Sequence, residues 1–166
     1  MKTVYLSLGS NVGDREAMLQ AALDRLRETG VNIRRLSPVY ETEPQDRRDQ
    51  GWFLNLVAEA ETELFPMQLL GRVQRIELNL GRRRGVAQGP RTIDIDILLY
   101  GGVVIDTSRL TVPHARLHER RFVLAPMVDL APELRHPVFR RSMRELLGGL
   151  SGQQARHSSF APRVPL

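Results

Sequence analysis

The chain has 166 residues, 42% of them hydrophobic and 26% charged, which describes one folded domain with room for a sizeable core. It holds no cysteine, and this excludes a disulfide scaffold, a thiolate zinc site, an iron–sulfur cluster and a thiol nucleophile. Against 19 acidic residues stand 24 basic ones, a net +5. Lys2 is the single lysine among them, so much of the arginine excess reads as compositional bias on a solvated surface. Its clusters carry more meaning. Arg82-Arg83-Arg84 with Arg91, and Arg116 with Arg120 and Arg121, suit bidentate phosphate binding and point to a nucleotide or another polyanion. The N-terminus lacks the pattern of a signal peptide, and the longest nearly apolar run, 97–105, is far short of the roughly 20 residues a membrane helix needs. A cytoplasmic protein without membrane contact is expected.

Residues 3–8 alternate as a strand and stop at Gly9-Ser10-Asn11-Val12-Gly13, which reads either as a structural turn or as an anion nest. Helical spacing of Leu19, Ala22, Leu23 and Leu26, with Gly30 as terminator, predicts a helix over 14–28. Residues 31–40 read as a strand with an edge or bulge at Pro38, and the charged stretch 41–51 as a mobile loop. The clearest strand is 52–62, with Leu54, Leu56, Ala58 and Ala60 on one face and Phe53, Asn55, Val57, Glu59 and Glu61 on the other. Pro66 opens a second helix over 66–80. A basic loop, 82–90, then leads to a strand over 92–100, a Gly101-Gly102 turn and a partner strand over 103–105. Short helices are expected over 120–128 and 142–147. The order is that of an α+β, ferredoxin-like βαββαβ core, an antiparallel sheet with helices on one face, plus a C-terminal hairpin and short helices. Residues 1–150 form the single domain, and 151–166 read as a flexible tail.

The stretch Gly89-Pro90-Arg91-Thr92-Ile93-Asp94-Ile95-Asp96 carries the strongest chemical signal. As a strand it turns Ile93, Ile95, Ile97 and Leu99 to the core and Asp94 and Asp96 to the other face, with Cα atoms roughly 6.6 Å apart. Such a pair is either two solvated carboxylates or an oxygen-only site for magnesium with phosphate oxygens. Glu77 falls inside the apolar stripe of the second helix with Gln74 at its edge. A carboxylate there must be paired or hydrogen-bonded, whether in a structural ion pair or in a site. Phe53 beside Asn55 offers an aromatic plane and an amide, as a flat heterocycle requires, although strand faces often combine such residues. His114 and His118 lack further ligands for zinc. There is no P-loop, and Ser10 has no adjacent base.

Together, Leu8-Gly9-Ser10-Asn11, Phe53-Leu54-Asn55, Gln74-Arg75-Ile76-Glu77, Gly81-Arg82, the Gly89 to Asp96 stretch and Arg109-Leu110-Thr111-Val112-Pro113-His114 resemble the 6-hydroxymethyl-7,8-dihydropterin pyrophosphokinase family over about residues 1–150. Arg120, Phe122 and Ala131-Pro132-Glu133-Leu134 follow in register. The resemblance implies transfer of pyrophosphate from ATP to the pterin hydroxymethyl group, with release of AMP. It implies that Asp94 and Asp96 ligate two magnesium ions while Arg82 and Arg91 clamp the transferring group. Gln74, Glu77, Arg84, Arg109, Thr111, His114 and Arg120 would serve ATP. Phe53 and Phe122 would sandwich the pterin, with Asn55 and the backbone near Thr42 to Pro44 reading its edge. ATP and the pterin are the implied partners of a monomer, with no nucleic acid. Ala87, Gln88 and Ala115 depart from residues common in the family, and Phe53 replaces a tyrosine. Two rivals remain: an inactive relative or another magnesium-dependent transferase acting on a different heterocyclic alcohol, and an RNA-binding sheet. The RNA reading suffers from 5% aromatic residues and from two aspartates on its best strand face.

Overall fold

A computed structural model describes residues 1–44, 51–81 and 92–166. Its elements are β1 (Lys2–Ser10), α1 (Arg15–Glu28), β2 (Val31–Leu36), β3 (Tyr40–Thr42), β4 (Phe53–Thr62), α2 (Pro66–Asn79), β5 (Asp94–Tyr100), β6 (Ile105–Asp106), β7 (Thr111–Val112), α3 (Arg121–Leu130), α4 (Met143–Gly148) and β8 (Ala155–His157). A short 3-10 turn, Leu117–Glu119, precedes α3. The main sheet runs β5-β1-β4-β3-β8, and β2 also pairs with β4. Every pairing is antiparallel.

Local chemistry accounts for the helix boundaries. The Asp14 carboxylate accepts from the Ala17 amide and caps α1, satisfying a donor that the first turn leaves over. Pro66 at the start of α2 lacks only an N–H that would go unused there. Ser142 and Glu145 form a reciprocal capping box on α4. At Pro38 the expected long strand divides in two. The gap is bridged by Ser37, whose N–H donates to the Val57 carbonyl at 2.9 Å and whose Oγ accepts from the Val57 N–H at 2.8 Å.

Helices α1 and α2 lie on one face of the sheet, as the βαββαβ reading expects. Leu19, Leu23, Leu26, Leu69, Val73 and Ile76 close over Val4, Leu6, Leu8, Leu54, Leu56, Ile95 and Ile97. Each fully buried leucine contributes about 1.5–3 kcal/mol. The short helices cover the opposite face, where Val123, Leu124, Met127 and Met143 pack on Tyr5, Val57, Leu98 and Leu99.

The structure corrects four local expectations. Strand β1 continues through Gly9 and Ser10, two residues expected in the turn. A bulge in β5 shifts the register between Tyr5 and Leu6, and this sends Leu99 to the second core, away from Ile93, Ile95 and Ile97. The partner of the 105–106 strand is β7, not β5. Finally, the stretch expected to be a loose tail supplies β8, which pairs with β3, and Phe160, which packs against the first core. Of the expected mobile loop, 41–51, residues 41 and 42 belong to β3 and 45–50 lie outside the described residues, as does the basic segment 82–91.

Between α3 and α4, His136 is buried and accepts at Nδ1 from the N–H groups of Val138 (3.2 Å) and Phe139 (3.1 Å). Its ring stacks on Phe139 at 4.3 Å. Burial, assisted by the charge of His118, holds its pKa below the ordinary value. Below about pH 6.5 the unfolded chain therefore takes up a proton that the folded chain refuses. The resulting stability is complete above that pH and is lost as pH falls through it. Denaturant titrations at pH 7 and pH 5 should show a loss at the lower pH that is smaller in His136→Gln.

Candidate functional site

Strand pairing sets out the site as rows on the α3 side of the sheet. Directly opposed residues of antiparallel strands present their side chains to the same face. Asp94 opposes Gly9, Gly9 opposes Asn55, and Asn55 opposes Tyr40. In the next row inward Asp96 opposes Ser7, and Ser7 opposes Val57, a residue of the α3-side core. The two aspartates thus share this face at the start of β5, both half-buried.

Glycine at position 9 is required by close approach. A Cβ there would lie 2.5 Å from Asn55 Oδ1 and 3.5 Å from the Phe53 ring, so the Asn55 amide occupies the space a side chain would take. Asn55 is buried and its Nδ2 donates to Thr42 Oγ1, which is also buried. Phe53, two residues before Asn55 and opposite Thr42, is half-buried on the same face, and Pro44 is buried just beyond Thr42. Phe53, Asn55 and Thr42 therefore come together at one end of the sheet, with Pro44 two residues beyond Thr42.

A second group gathers beside the aspartates. The backbone N–H of His114 donates to the Leu98 carbonyl at 3.0 Å, holding the segment after β7 against β5, and the Val112–Pro113 bond just before it is cis. His114 Nε2 lies 4.0 Å from Asp96 Oδ1. Burial first, then the charge of Arg120, lowers the His114 pKa to about 4, against an opposing pull from Asp94. The imidazole is therefore neutral at pH 7, and its approach to Asp96 is a polar contact rather than an ion pair. Arg120 lies over the Phe122 ring at 5.3 Å, a cation–π distance.

Glu77 proves buried in α2, and its carboxylate accepts from the Ile95 N–H at 2.9 Å. Ile95 sits between Asp94 and Asp96, so the buried acid pins the backbone that carries the pair. Gln74 and Arg109 are exposed and Thr111 on β7 is half-buried. Arg82, Arg84 and Arg91 lie outside the described residues. Two features escaped sequence reading. One is the contact that Gly9 makes possible, which a glycine next to a turn does not announce. The other is the β8 segment, whose three residues show no periodicity.

Two adjacent carboxylates beside a neutral histidine and an arginine thus form a polar site on one face of an antiparallel sheet in an α+β fold. The family model for 7,8-dihydro-6-hydroxymethylpterin-pyrophosphokinase matches residues 5–132, and the chain belongs to that family. The 2-amino-4-hydroxy-6-hydroxymethyldihydropteridine pyrophosphokinase of Aquifex aeolicus is 43% identical over 145 residues, covering 87% of this chain and 90% of its own length. The Bacillus subtilis protein of the same name is 46% identical over 131 residues, 78% of each chain. Folic acid synthesis protein fol1 of Schizosaccharomyces pombe is 44% identical over 161 residues, and this chain spans only 22% of its length. Among solved structures, Plasmodium falciparum HPPK-DHPS with pteroate superposes with a TM-score of 0.74 at 17% identity, covering 89% of this chain and 44% of that one. This last likeness concerns the fold alone.

Proposed function

We propose that the chain transfers the pyrophosphoryl group of ATP to the hydroxymethyl oxygen of 6-hydroxymethyl-7,8-dihydropterin, giving AMP and the pterin diphosphate for folate synthesis. The single observation that carries this reading is the continuous row Asp94–Gly9–Asn55, in which an acidic pair adjoins a buried amide and hydroxyl across one glycine. Family membership supports it independently.

The donor set suits magnesium. Two carboxylates offer oxygen only, and among the described residues no group of three His, Cys, Asp or Glu side chains could build an all-protein cage. Asp94 and Asp96 would hold two ions, which when bound neutralise triphosphate charge at the point of transfer. Glu77 keeps the two carboxylates in place through Ile95. Neutral His114 adds a polar contact beside Asp96 without adding a charge, and Arg120 brings a cation to the same face. Gln74, Arg84, Arg109 and Thr111 serve the nucleotide, and Arg82 and Arg91 the transferring group. These roles follow the family resemblance. Alignment and charge neutralisation supply most of the rate in phosphoryl-type transfer.

On the other side of Gly9, the Asn55 amide and Thr42 hydroxyl offer a donor and an acceptor to the edge of a flat heterocycle. Phe53 and Phe122 provide ring faces. In this reading the enzyme works as a monomer, as the family resemblance implies. None of the described helices is long and apolar enough to cross a membrane.

Incubating the purified protein with ATP, magnesium and the pterin should release AMP in a one-to-one ratio with pterin diphosphate. Release of ADP, or no pterin-dependent AMP, overturns this function.

A further inference from the structure

The short strand β8 does more than extend the sheet. The backbone of β3 is held by it along the whole length. Ser158 N–H donates to the Val39 carbonyl at 2.8 Å, and Glu43 N–H donates to the Gln154 carbonyl at 3.3 Å. Hydrogen-bonded pairs alternate along an antiparallel ladder, so Glu41 and Arg156, opposed midway between these two, occupy a hydrogen-bonded position as well. Beyond β3 the grip continues. The Gln154 N–H donates to Glu43 Oε1 at 2.9 Å, and the Gln153 amide donates to the Glu43 carbonyl at 3.1 Å.

Arg156 also reaches the strand on the other side of the site. Its guanidinium lies 4.7 Å from the centre of the Trp52 ring and 3.5 Å from Glu41. Glu41 faces Arg15 at 3.5 Å in turn, and Arg15 donates to the Trp52 carbonyl at 3.0 Å. One side chain of β8 therefore bridges the residue before Thr42 and the residue before Phe53. Next to it, His157 lies against Tyr40 with ring centroids 4.5 Å apart, and the Tyr40 hydroxyl donates to Asp129 of α3.

We propose that residues 153–157 are a positioning strap for the pterin-binding wall, with Arg156 as the positioning residue that sets Thr42 against Phe53. This inference rests on the reading of Thr42, Asn55 and Phe53 as the pterin side. Without the strap, β3 would be a three-residue edge strand carrying the hydroxyl on which Asn55 depends, its backbone ladder reduced among the described strands to the pairing with β4. The carboxylate pair on β5 lies at the opposite edge of the sheet, so the strap acts on pterin recognition and leaves the nucleotide side alone.

The test compares full-length wild type with Arg156→Pro, which removes the ladder N–H and the cation together, and with Arg156→Lys, which keeps both. Gln153→Ala, a milder change, loosens only the Glu43 tie. Calorimetry measures 6-hydroxymethyl-7,8-dihydropterin and a non-hydrolysable ATP analogue separately. Arg156→Pro should weaken pterin binding by about tenfold, a change of the size that a lost ladder bond plus an exposed cation–π contact produces. Gln153→Ala should weaken it severalfold, Arg156→Lys should stay within about twofold of wild type, and the ATP analogue should bind all of them alike. Unchanged pterin affinity in both Arg156→Pro and Gln153→Ala overturns the strap. So does an equal loss of both ligands, which marks a general structural role. A wild-type protein that binds the nucleotide but not the pterin overturns the assignment of the pterin side, and the strap with it.

Discussion

Asp96→Asn should lower turnover by about three orders of magnitude, which at 1.36 kcal/mol per tenfold is about 4 kcal/mol of transition-state stabilisation. The substitution preserves shape and burial but removes the negative charge that a divalent cation would need, and only a charge-dependent role predicts so large an effect from so small a change. The stability of the variant gives the control. Asp94 and Asp96 share one strand face two residues apart, so neutralising one relieves repulsion between like charges. The thermal midpoint should then hold or rise slightly while AMP release collapses. Wild-type turnover in Asp96→Asn would remove the metal assignment, and a lost fold would place the residue among the structural ones.

Gly9→Ala should produce the second large effect, on the other ligand. The new methyl carbon would sit 2.5 Å from Asn55 Oδ1, well inside van der Waals contact, and Asn55 has little room to retreat because it is buried and bonded to Thr42. Overpacking of this kind typically costs about 1–3 kcal/mol of stability. Moving the amide off its geometry should weaken pterin binding by roughly ten- to a hundredfold, on the scale of a lost buried hydrogen-bonding group. Binding of the ATP analogue should change far less. Denaturant unfolding together with calorimetry on both ligands separates the two effects, and an unaltered pterin affinity would show that the Asn55 amide does not read the substrate.

Much of this arrangement is legible in the residues themselves. Period-two alternation in Phe53-Leu54-Asn55-Leu56 divides the site face from the core face, and the β4 pairings agree with it. A glutamate inside an apolar helical stripe demands a partner, and Glu77 finds one in the Ile95 N–H. Legibility ends where structure depends on partners distant in sequence. Ala155-Arg156-His157 has neither alternation nor an apolar face, because its strand character comes from the open edge of β3 rather than from its own side chains. Leu99 continues the alternation of Ile95 and Ile97 perfectly well, yet the bulge opposite Tyr5 turns it to the other core. Helix α3 reads from sequence as a minor addition. Only the fold shows that an otherwise uncovered sheet face needs it.

The division of one long edge into β2 and β3 at Ser37 and Pro38 has a consequence for how the protein tolerates change. Strand β4 is shared between two tenants: its Ala58–Thr62 half serves β2 and the main core, while its Phe53–Asn55 end serves β3. Ser37 spans the joint by satisfying both backbone groups of Val57, so neither half relies on the other for its ladder. Substitutions at the β3 end should therefore be absorbed there without propagating into the packed half.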